Sequence, residues 1–133
     1  MWTLDTDTCS YVLRTHPSGV AAHFKRTPPG EIGISSVVLA ELYYGANLFR
    51  NRSILRKHIQ EFANGLMVLS WDAAAADHYG DIRATLERRG MPIGAMDMMI
   101  AAHARSLNAV LVTNNTKHFR RVPGLKVENW TIA

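Results

Sequence analysis

The sequence predicts an α/β protein, a three-layer α/β/α sandwich around a central parallel sheet of four or five strands. Short apolar segments with the length of buried strands alternate along the chain with longer segments of helical periodicity. Strands that are joined through helices pair in parallel, and such a sheet needs helices on both of its faces. The sequence contains no repeat and no boundary, so we expect residues 1–133 to form a single domain.

Four strands are predicted, with a fifth at the end of the chain. The four segments are residues 2–4, 31–35, 66–69 and 110–113, and Val127 is expected in a final edge strand. The segment 110–113 is almost entirely apolar, which is typical of a strand that is buried on both faces. We therefore expect the first and fourth strands to be the central ones.

The helices are marked by apolar stripes and by residues that favour helix ends. Helical periodicity covers residues 20–25, 37–46, 53–63, 73–89 and 96–107, and a further helix follows the first strand, with Thr6, Asp7 or Thr8 as its cap. Ser35 or Ser36 is expected to cap the helix at 37–46, and Asp72 the helix at 73–89. A short helical turn is expected around Phe119. Alanines in the helix at 96–107 would let that helix lie close to the sheet.

Composition narrows the classes of function. The chain has 15 Lys and Arg against 11 Asp and Glu, and this basic balance is a weak indication of a polyanionic partner such as nucleic acid. Cys9 is the single cysteine, so we expect a buried, inert thiol and no internal disulfide. We find neither a signal peptide nor an apolar stretch near the ~20 residues of a membrane span, so a cytoplasmic protein is expected.

Three acids stand out because each interrupts an apolar segment. Asp5 follows the first strand, Glu41 lies in the helix after the second strand, and Asp97 lies in the first turn of the helix before the fourth strand. Each has a structural alternative: a helix cap for Asp5, a solvated helix position for Glu41, and a favourable charge at a helix N-terminus for Asp97. In open parallel sheets, however, sites gather at the carboxyl ends of the strands. We therefore expect the three carboxylates to share one edge.

Three clustered carboxylates repel one another unless protons or a cation neutralise them. Oxygen ligands suit Mg²⁺, or Mn²⁺ in its place, better than zinc. Such a site can activate water and stabilise the charge that develops on a phosphodiester. The histidines fall on different elements without the spacing of metal ligands, so none is predicted as a ligand, and His103 is expected to be packed in the core. The six are His16, His23, His58, His78, His103 and His118.

Four segments together resemble a known family. LDTDTC at 4–9, ISSVVLAELYYGA at 34–46, GAMDMMIAAHA at 94–104 and VTNN at 112–115 are similar to the successive motifs of VapC-type PIN domains. Each motif alone is weak, but four in the expected order cover nearly the whole chain. The resemblance is strongest to the subgroup that cleaves the anticodon loop of initiator tRNA.

The resemblance implies a toxin of a type II toxin–antitoxin system that acts as a Mg²⁺-dependent endoribonuclease. It implies Asp5, Glu41 and Asp97 as the catalytic acids and metal ligands, with Asp5 and Asp97 the most direct. It also implies a homodimer and a cognate VapB-type antitoxin whose tail enters the active-site groove. Operator DNA would be contacted only through the antitoxin.

The sequence departs from the general PIN pattern at one position. Asn115, which we count among the candidate catalytic residues, stands where many members carry a fourth acid, so a second metal ion would lack a ligand there. Asp7 could compensate, although capping explains Asp7 equally well. Thr113 and Asn114 are candidate supporting residues.

Several basic residues are candidate contacts for an RNA backbone, with a solvated helix face as the alternative. They are Arg83, Lys117 and Arg120, together with Arg88, Arg89 and Arg121.

Two other functions are compatible with the sequence. Residues 4–8 also fit the D-x-D-x-T pattern of haloacid-dehalogenase-like phosphatases, in which Asp5 would be the nucleophile, but the chain is short for that class. The third hypothesis is a non-catalytic PIN-like domain that binds RNA or protein. Retention of all three acids argues against it.

Overall fold

The computed structural model describes residues 1–131, which form a five-stranded parallel sheet with the order β3-β2-β1-β4-β5. The strands are β1 Trp2–Leu4, β2 Ile32–Ser35, β3 Met67–Leu69, β4 Val110–Val112 and β5 Lys126–Glu128. Every pairing is parallel, as predicted. β1 lies at the middle of the sheet and β4 beside it. β2 is also an interior strand, which the sequence did not reveal.

Seven α-helices connect the strands. They are α1 Thr6–Arg14, α2 Ser18–Arg26, α3 Ser36–Asn47, α4 Arg52–Asn64, α5 Ala73–Arg88, α6 Ala95–Ser106 and α7 Thr116–Phe119. The chain moves outward from β1 to β2 and β3, and then returns through α5 and α6 to β4 on the other side of β1. Because crossover connections are right-handed, this reversal places α5 and α6 on the opposite face from α1 to α4. The predicted three-layer α/β/α sandwich is confirmed.

The expected residues cap α3 and α5, whereas the expected cap of α1 was wrong. Ser35 caps α3 by accepting the Val37 N–H at 3.1 Å, and Asp72 caps α5 by accepting the Ala75 N–H at 3.0 Å. Gly90 ends the α5 segment in the left-handed conformation, with φ 64°, which glycine adopts without strain. At α1, Thr6, Asp7 and Thr8 were the wrong choice of cap, because the cap is Asp5.

The hydrophobic core extends over both faces of the sheet. The side chains of Leu4, Ile34 and Leu111 are fully buried at its centre. Ala101, Ala102 and Ala104 of α6 are also buried, as expected for a helix that lies close to a sheet. Cys9 is fully buried, as predicted, and burial raises the pKa of its thiol well above the ordinary value, which disfavours the reactive thiolate. Within residues 1–131, no helix is long and apolar enough to cross a membrane.

His103 is packed inside the protein, as predicted, and should make stability depend on pH. Its Nδ1 lies 2.8 Å from Ser35 Oγ, which already accepts the Val37 N–H and can donate its own hydrogen to a neutral ring. Burial lowers the pKa of His103, while the charge of Asp72 opposes that shift. The unfolded chain therefore takes up a proton first, at about pH 6.5, and the folded protein only at lower pH.

We expect the free energy of unfolding to fall as the pH is lowered from 7 towards 5, because the buried ring resists protonation. Urea unfolding at a series of pH values measures this slope, which should be smaller in His103→Gln. His58→Gln, an exposed change on α4, should keep the wild-type slope. Equal slopes in all three proteins would contradict the assignment to His103.

Candidate active site

The carboxyl ends of β1 and β4 are joined directly, and this junction positions the first acid. The Asp5 N–H donates to the Val112 carbonyl oxygen at 3.1 Å, and the Thr8 hydroxyl donates to the same oxygen at 3.1 Å. The first turn of α1 is thereby attached to the end of β4. Asp5 stands at the predicted edge of the sheet.

The Asp5 carboxylate is held inside the protein. It accepts the Thr8 N–H at 2.9 Å as the cap of α1, and the residue is only 6% exposed. Burial raises the pKa of Asp5, and the charge of Asp7 adds to that effect, while hydrogen bonds from Thr113 and Thr8 oppose it. The capping alternative is therefore correct, and it coexists with a position at the candidate site. A buried acid stabilised by neutral donors and next to a second acid is well suited to a cation.

Thr113 links Asp5 to the next loop. Its fully buried hydroxyl donates to the Asp5 carboxylate and accepts the Asn115 N–H at 3.0 Å. Thr113 thus orients the carboxylate without being exposed itself.

We expect Thr113→Val to lower the nuclease activity proposed below by about 10- to 100-fold, the usual effect of losing a partner that orients a metal ligand. Valine keeps the shape of threonine but can neither donate to Asp5 nor accept from Asn115. Thr113→Ser is the matched control, since it keeps the hydroxyl and should retain most activity. Initial cleavage rates measure the difference, and equal losses in both variants would refute an orienting role for the hydroxyl.

Glu41 reaches the start of α1 from α3. Its Oε1 accepts the Thr6 hydroxyl hydrogen at 2.5 Å. Thr6 adjoins Asp5, so this bond brings the second acid to the side of the first. Glu41 is partly exposed rather than buried, which leaves it accessible to a ligand.

Asp97 approaches from the side of α7 and is paired with a histidine. Its Oδ2 lies 3.0 Å from His118 Nε2. The Asp97 side chain is 41% exposed, so its apolar sequence neighbours did not imply burial. No histidine was predicted as a metal ligand, and the sequence did not indicate that His118 lies beside Asp97. No local pattern could have revealed this contact, because the two residues are 21 positions apart and α7 has only four residues.

The supporting polar residues take different directions. Asn114 accepts hydrogen bonds from Asn129 at 3.5 Å and from the Thr131 hydroxyl at 3.3 Å, and so contacts the segment that follows β5. Asn115 is exposed at the start of α7, and Asp7 is exposed on α1. The side chains of Asn115 and Asp7 thus remain open towards solvent.

Three basic candidates for RNA contact, Arg83, Lys117 and Arg120, are exposed but differ in their surroundings. Arg83 donates to Glu87 and to the Tyr79 hydroxyl, both at 2.9 Å, on the outer side of α5. Lys117 and Arg120 lie at α7, beside the segment that carries His118. Lys117 and Arg120 are therefore closer in sequence to residues of the acidic edge than Arg83 is. All three remain predictions.

A groove adjoins the acids. It has a volume of about 980 Å³, lies between α1, α3 and α4, and has Thr6 and Glu41 in its lining. Most of the remaining lining residues are apolar: Val12, Leu13, Leu42, Ala46, Phe49, Leu55, Ile59 and Phe62. This groove could not be predicted from local sequence patterns, because its lining comes from three helices and from the loop after α3.

The described residues offer oxygen donors of the kind that Mg²⁺ and Mn²⁺ prefer, but they do not form a closed cage. Asp5, Glu41 and Asp97 all lie at the same edge, linked through Thr6, Thr113 and the α7 segment. Within residues 1–131, no three His, Cys, Asp or Glu side chains are close enough together to enclose a metal ion. An ion that keeps several waters and takes one or two carboxylates fits this open arrangement.

Comparisons with known proteins agree with the architecture. The PIN domain family model matches residues 3–125. The "tRNA(fMet)-specific endonuclease VapC" of Shigella flexneri is 44% identical over 128 residues, which are 96% of this chain and 96% of that protein. The "Ribonuclease VapC2" of Rickettsia felis is 37% identical over 131 residues, 98% of each chain.

Solved structures of toxin–antitoxin complexes have the same fold. VapBC2 from Rickettsia felis, bound to a DNA fragment from its promoter, superposes with a TM-score of 0.91 at 37% identity, covering 97% of this chain and 98% of that chain. DNA-bound VapBC from Salmonella typhimurium gives a TM-score of 0.91 at 40% identity, with 97% of each chain covered.

The fold and its acidic edge define a three-layer α/β protein of the nuclease type, in which the site lies where the strands end. The chain belongs to the PIN-domain family, and the two relatives described above, which it matches over nearly their whole length, are named VapC and VapC2. The predicted family is confirmed. The phosphatase alternative thereby loses its basis, because the D-x-D-x-T pattern is accounted for by the family motif.

Proposed function

We propose that this chain is the toxin of a type II toxin–antitoxin system and that it hydrolyses phosphodiester bonds in RNA at the edge formed by Asp5, Glu41 and Asp97. The observation that supports this most strongly is the placement of acids from three separate segments at one end of β1 and β4. The relative from Shigella flexneri is named as specific for tRNA(fMet). Initiator tRNA, cut in the anticodon loop, is therefore the proposed substrate, which implies action in the cytoplasm.

PIN-domain nucleases generally depend on a divalent metal ion. We propose Mg²⁺, with Mn²⁺ able to substitute, held by Asp5 and Asp97 and contacted by Glu41. When bound, the ion would lower the pKa of a water molecule and neutralise charge on the phosphodiester. Asp5 supplies a carboxylate that Thr8 and Thr113 keep in one orientation. Glu41 is fixed by Thr6, and Lys117 and Arg120 are proposed to attract the RNA backbone.

The partner proposed for the groove between α1, α3 and α4 is a VapB-type antitoxin. The apolar wall suits an apolar stretch of that partner, and Thr6 and Glu41 at the groove's lining would let the same stretch block access to the acids. The solved complexes from Rickettsia felis and Salmonella typhimurium include DNA. We propose that this chain forms a homodimer and reaches operator DNA only through its antitoxin.

The experiment is cleavage of purified initiator tRNA, with elongator tRNA as the comparison substrate. The proposal requires fragments cut in the anticodon loop when Mg²⁺ or Mn²⁺ is present, none after addition of EDTA, and loss of cleavage in Asp97→Asn. RNA binding without scission, unaffected by EDTA, would instead favour the non-catalytic hypothesis. Cleavage of both tRNAs at equal rates would support the proposed nuclease activity but would contradict the proposed specificity for initiator tRNA.

A further inference from the structure

His118 is held in a fixed position at the acidic edge. It lies in α7, directly after β4 and Asn115, and its side chain is only 22% exposed. The ring packs edge-on against Phe119, with 5.3 Å between ring centroids and an interplanar angle of 90°. Phe119 is itself buried, with 2% exposure. The imidazole is therefore oriented from one side by the core and faces Asp97 on the other.

The separation between His118 and Asp97 is compatible with two different arrangements. Nε2 and Oδ2 are 3.0 Å apart, which is the length of a hydrogen bond. It is also the distance between neighbouring ligand atoms around an octahedral ion, which is about 3.0 Å when each metal–ligand bond is about 2.1 Å. The pair could thus accept an ion with little movement, provided that the imidazole is neutral and carries its hydrogen on Nδ1.

The two donors differ in the ions they prefer. Carboxylate oxygen suits Mg²⁺ and Mn²⁺ alike, whereas imidazole nitrogen suits transition metals and binds Mg²⁺ poorly. Replacing an oxygen ligand by a nitrogen ligand therefore changes which metal a site selects.

We propose that His118 Nε2 and Asp97 Oδ2 together bind the divalent ion through a mixed nitrogen and oxygen ligand set, so that Mn²⁺, which can replace the Mg²⁺ proposed above, binds more tightly than Mg²⁺ does. The proposal rests on the function proposed above and deepens it by naming the ligand that decides the metal. A histidine ligand adds a donor at the acidic edge without adding negative charge.

Pulsed electron paramagnetic resonance of the protein loaded with Mn²⁺ tests this directly, in the absence of RNA. We expect the hyperfine coupling of a directly bonded ¹⁴N nucleus in the wild type. The coupling should disappear in His118→Gln, whose amide can still donate to Asp97 but is a poor metal ligand. It should persist in the matched control His16→Gln, which replaces an exposed histidine in the loop between α1 and α2.

Calorimetric titration supplies a second readout. The His118→Gln change should weaken Mn²⁺ binding by at least about tenfold, since even residues that only orient a metal ligand contribute about 10- to 100-fold to affinity. Mg²⁺ binding should change much less, so the preference for Mn²⁺ should shrink. A Tm close to that of the wild type would establish that His118→Gln is folded.

The results of these experiments distinguish failure of the His118 proposal from failure of the proposed nuclease activity. If the wild type cleaves RNA but its bound Mn²⁺ has no nitrogen coupling, His118 is not a ligand, while the proposed function stands. Coupling that persists in His118→Gln would also overturn the inference, because another histidine would be responsible. If the wild type neither binds Mn²⁺ nor cleaves RNA, both proposals fail.

Discussion

Replacing Asp5 by asparagine is expected to reduce RNA cleavage by at least about 100-fold, the scale of loss when one preorganised electrostatic group is removed from a reaction centre. Asparagine has nearly the same shape and remains a good helix cap, so α1 should keep its place on β4. What is lost is the negative charge that would hold the cation. Initial rates of initiator tRNA cleavage, with saturating Mn²⁺, measure the change.

The same substitution should make the metal-free protein more stable, on the order of 1 kcal/mol, as is common when a strained functional site is neutralised. Burial raises the pKa of Asp5, so the charged carboxylate is disfavoured in the folded protein relative to the unfolded chain. The resulting penalty is absent below the unfolded pKa of about 4 and complete above the folded pKa. The stability gain of Asp5→Asn should therefore be full at neutral pH and vanish towards pH 4.

Asp77→Asn is the matched control for both measurements, because Asp77 is an exposed acid on α5. It should keep most of the activity and show no comparable gain in stability. Urea unfolding in EDTA, at neutral and acid pH, measures the stability of all three proteins. Full activity of Asp5→Asn would show that Asp5 has no role in cleavage. If the variant were also no more stable than the wild type, burial of the charged carboxylate would carry no cost in stability, contrary to the expectation.

A second large effect is expected at the centre of the sheet. Leu111 is fully buried in β4, between β1 and β5, and Leu111→Ala should lower the free energy of unfolding by about 2–5 kcal/mol. Leu48, after α3, is 66% exposed, and Leu48→Ala should cost no more than about 0.5 kcal/mol. Urea unfolding of the two variants measures the difference. Similar losses would mean that β4 is not an interior strand.

The positions of the acids could be predicted from sequence because they follow from local rules. Asp5 directly follows a strand whose neighbours are parallel, and parallel strands all end at one edge. Glu41 was expected at the same edge because it lies in the helix after the second strand, and Asp97 because it lies in the first turn of the helix before the fourth strand. Capping at Ser35 and Asp72 was predictable for the same reason, since it depends on residues two or three positions apart.

The degree of burial at the site could not be predicted in the same way. Asp97 has apolar neighbours in the sequence, but successive helix residues point in different directions. Met98 is 5% exposed and Met96 is 42% exposed, and Asp97 lies between them. Of the three acids, Asp5 alone is buried, because it sits where α1 meets the end of β4.

Contacts between distant segments were also missed. The His118–Asp97 pair depends on how α7 packs beside α6, and a four-residue helix has too little periodicity to predict its orientation. Asn114 was expected to support the site, yet its side chain binds Asn129 and Thr131. The apolar groove was missed as well, since three helices contribute to it.

The proposed function requires acids from separate segments to hold one divalent ion at the carboxyl edge of the sheet. Anomalous diffraction from crystals of the protein grown with Mn²⁺ would locate such an ion. We expect an anomalous peak within bonding distance of both Asp5 and Asp97, with Glu41 on the same side. Ordered Mn²⁺ at other positions only, with the carboxylates of Asp5 and Asp97 free of metal, would contradict it.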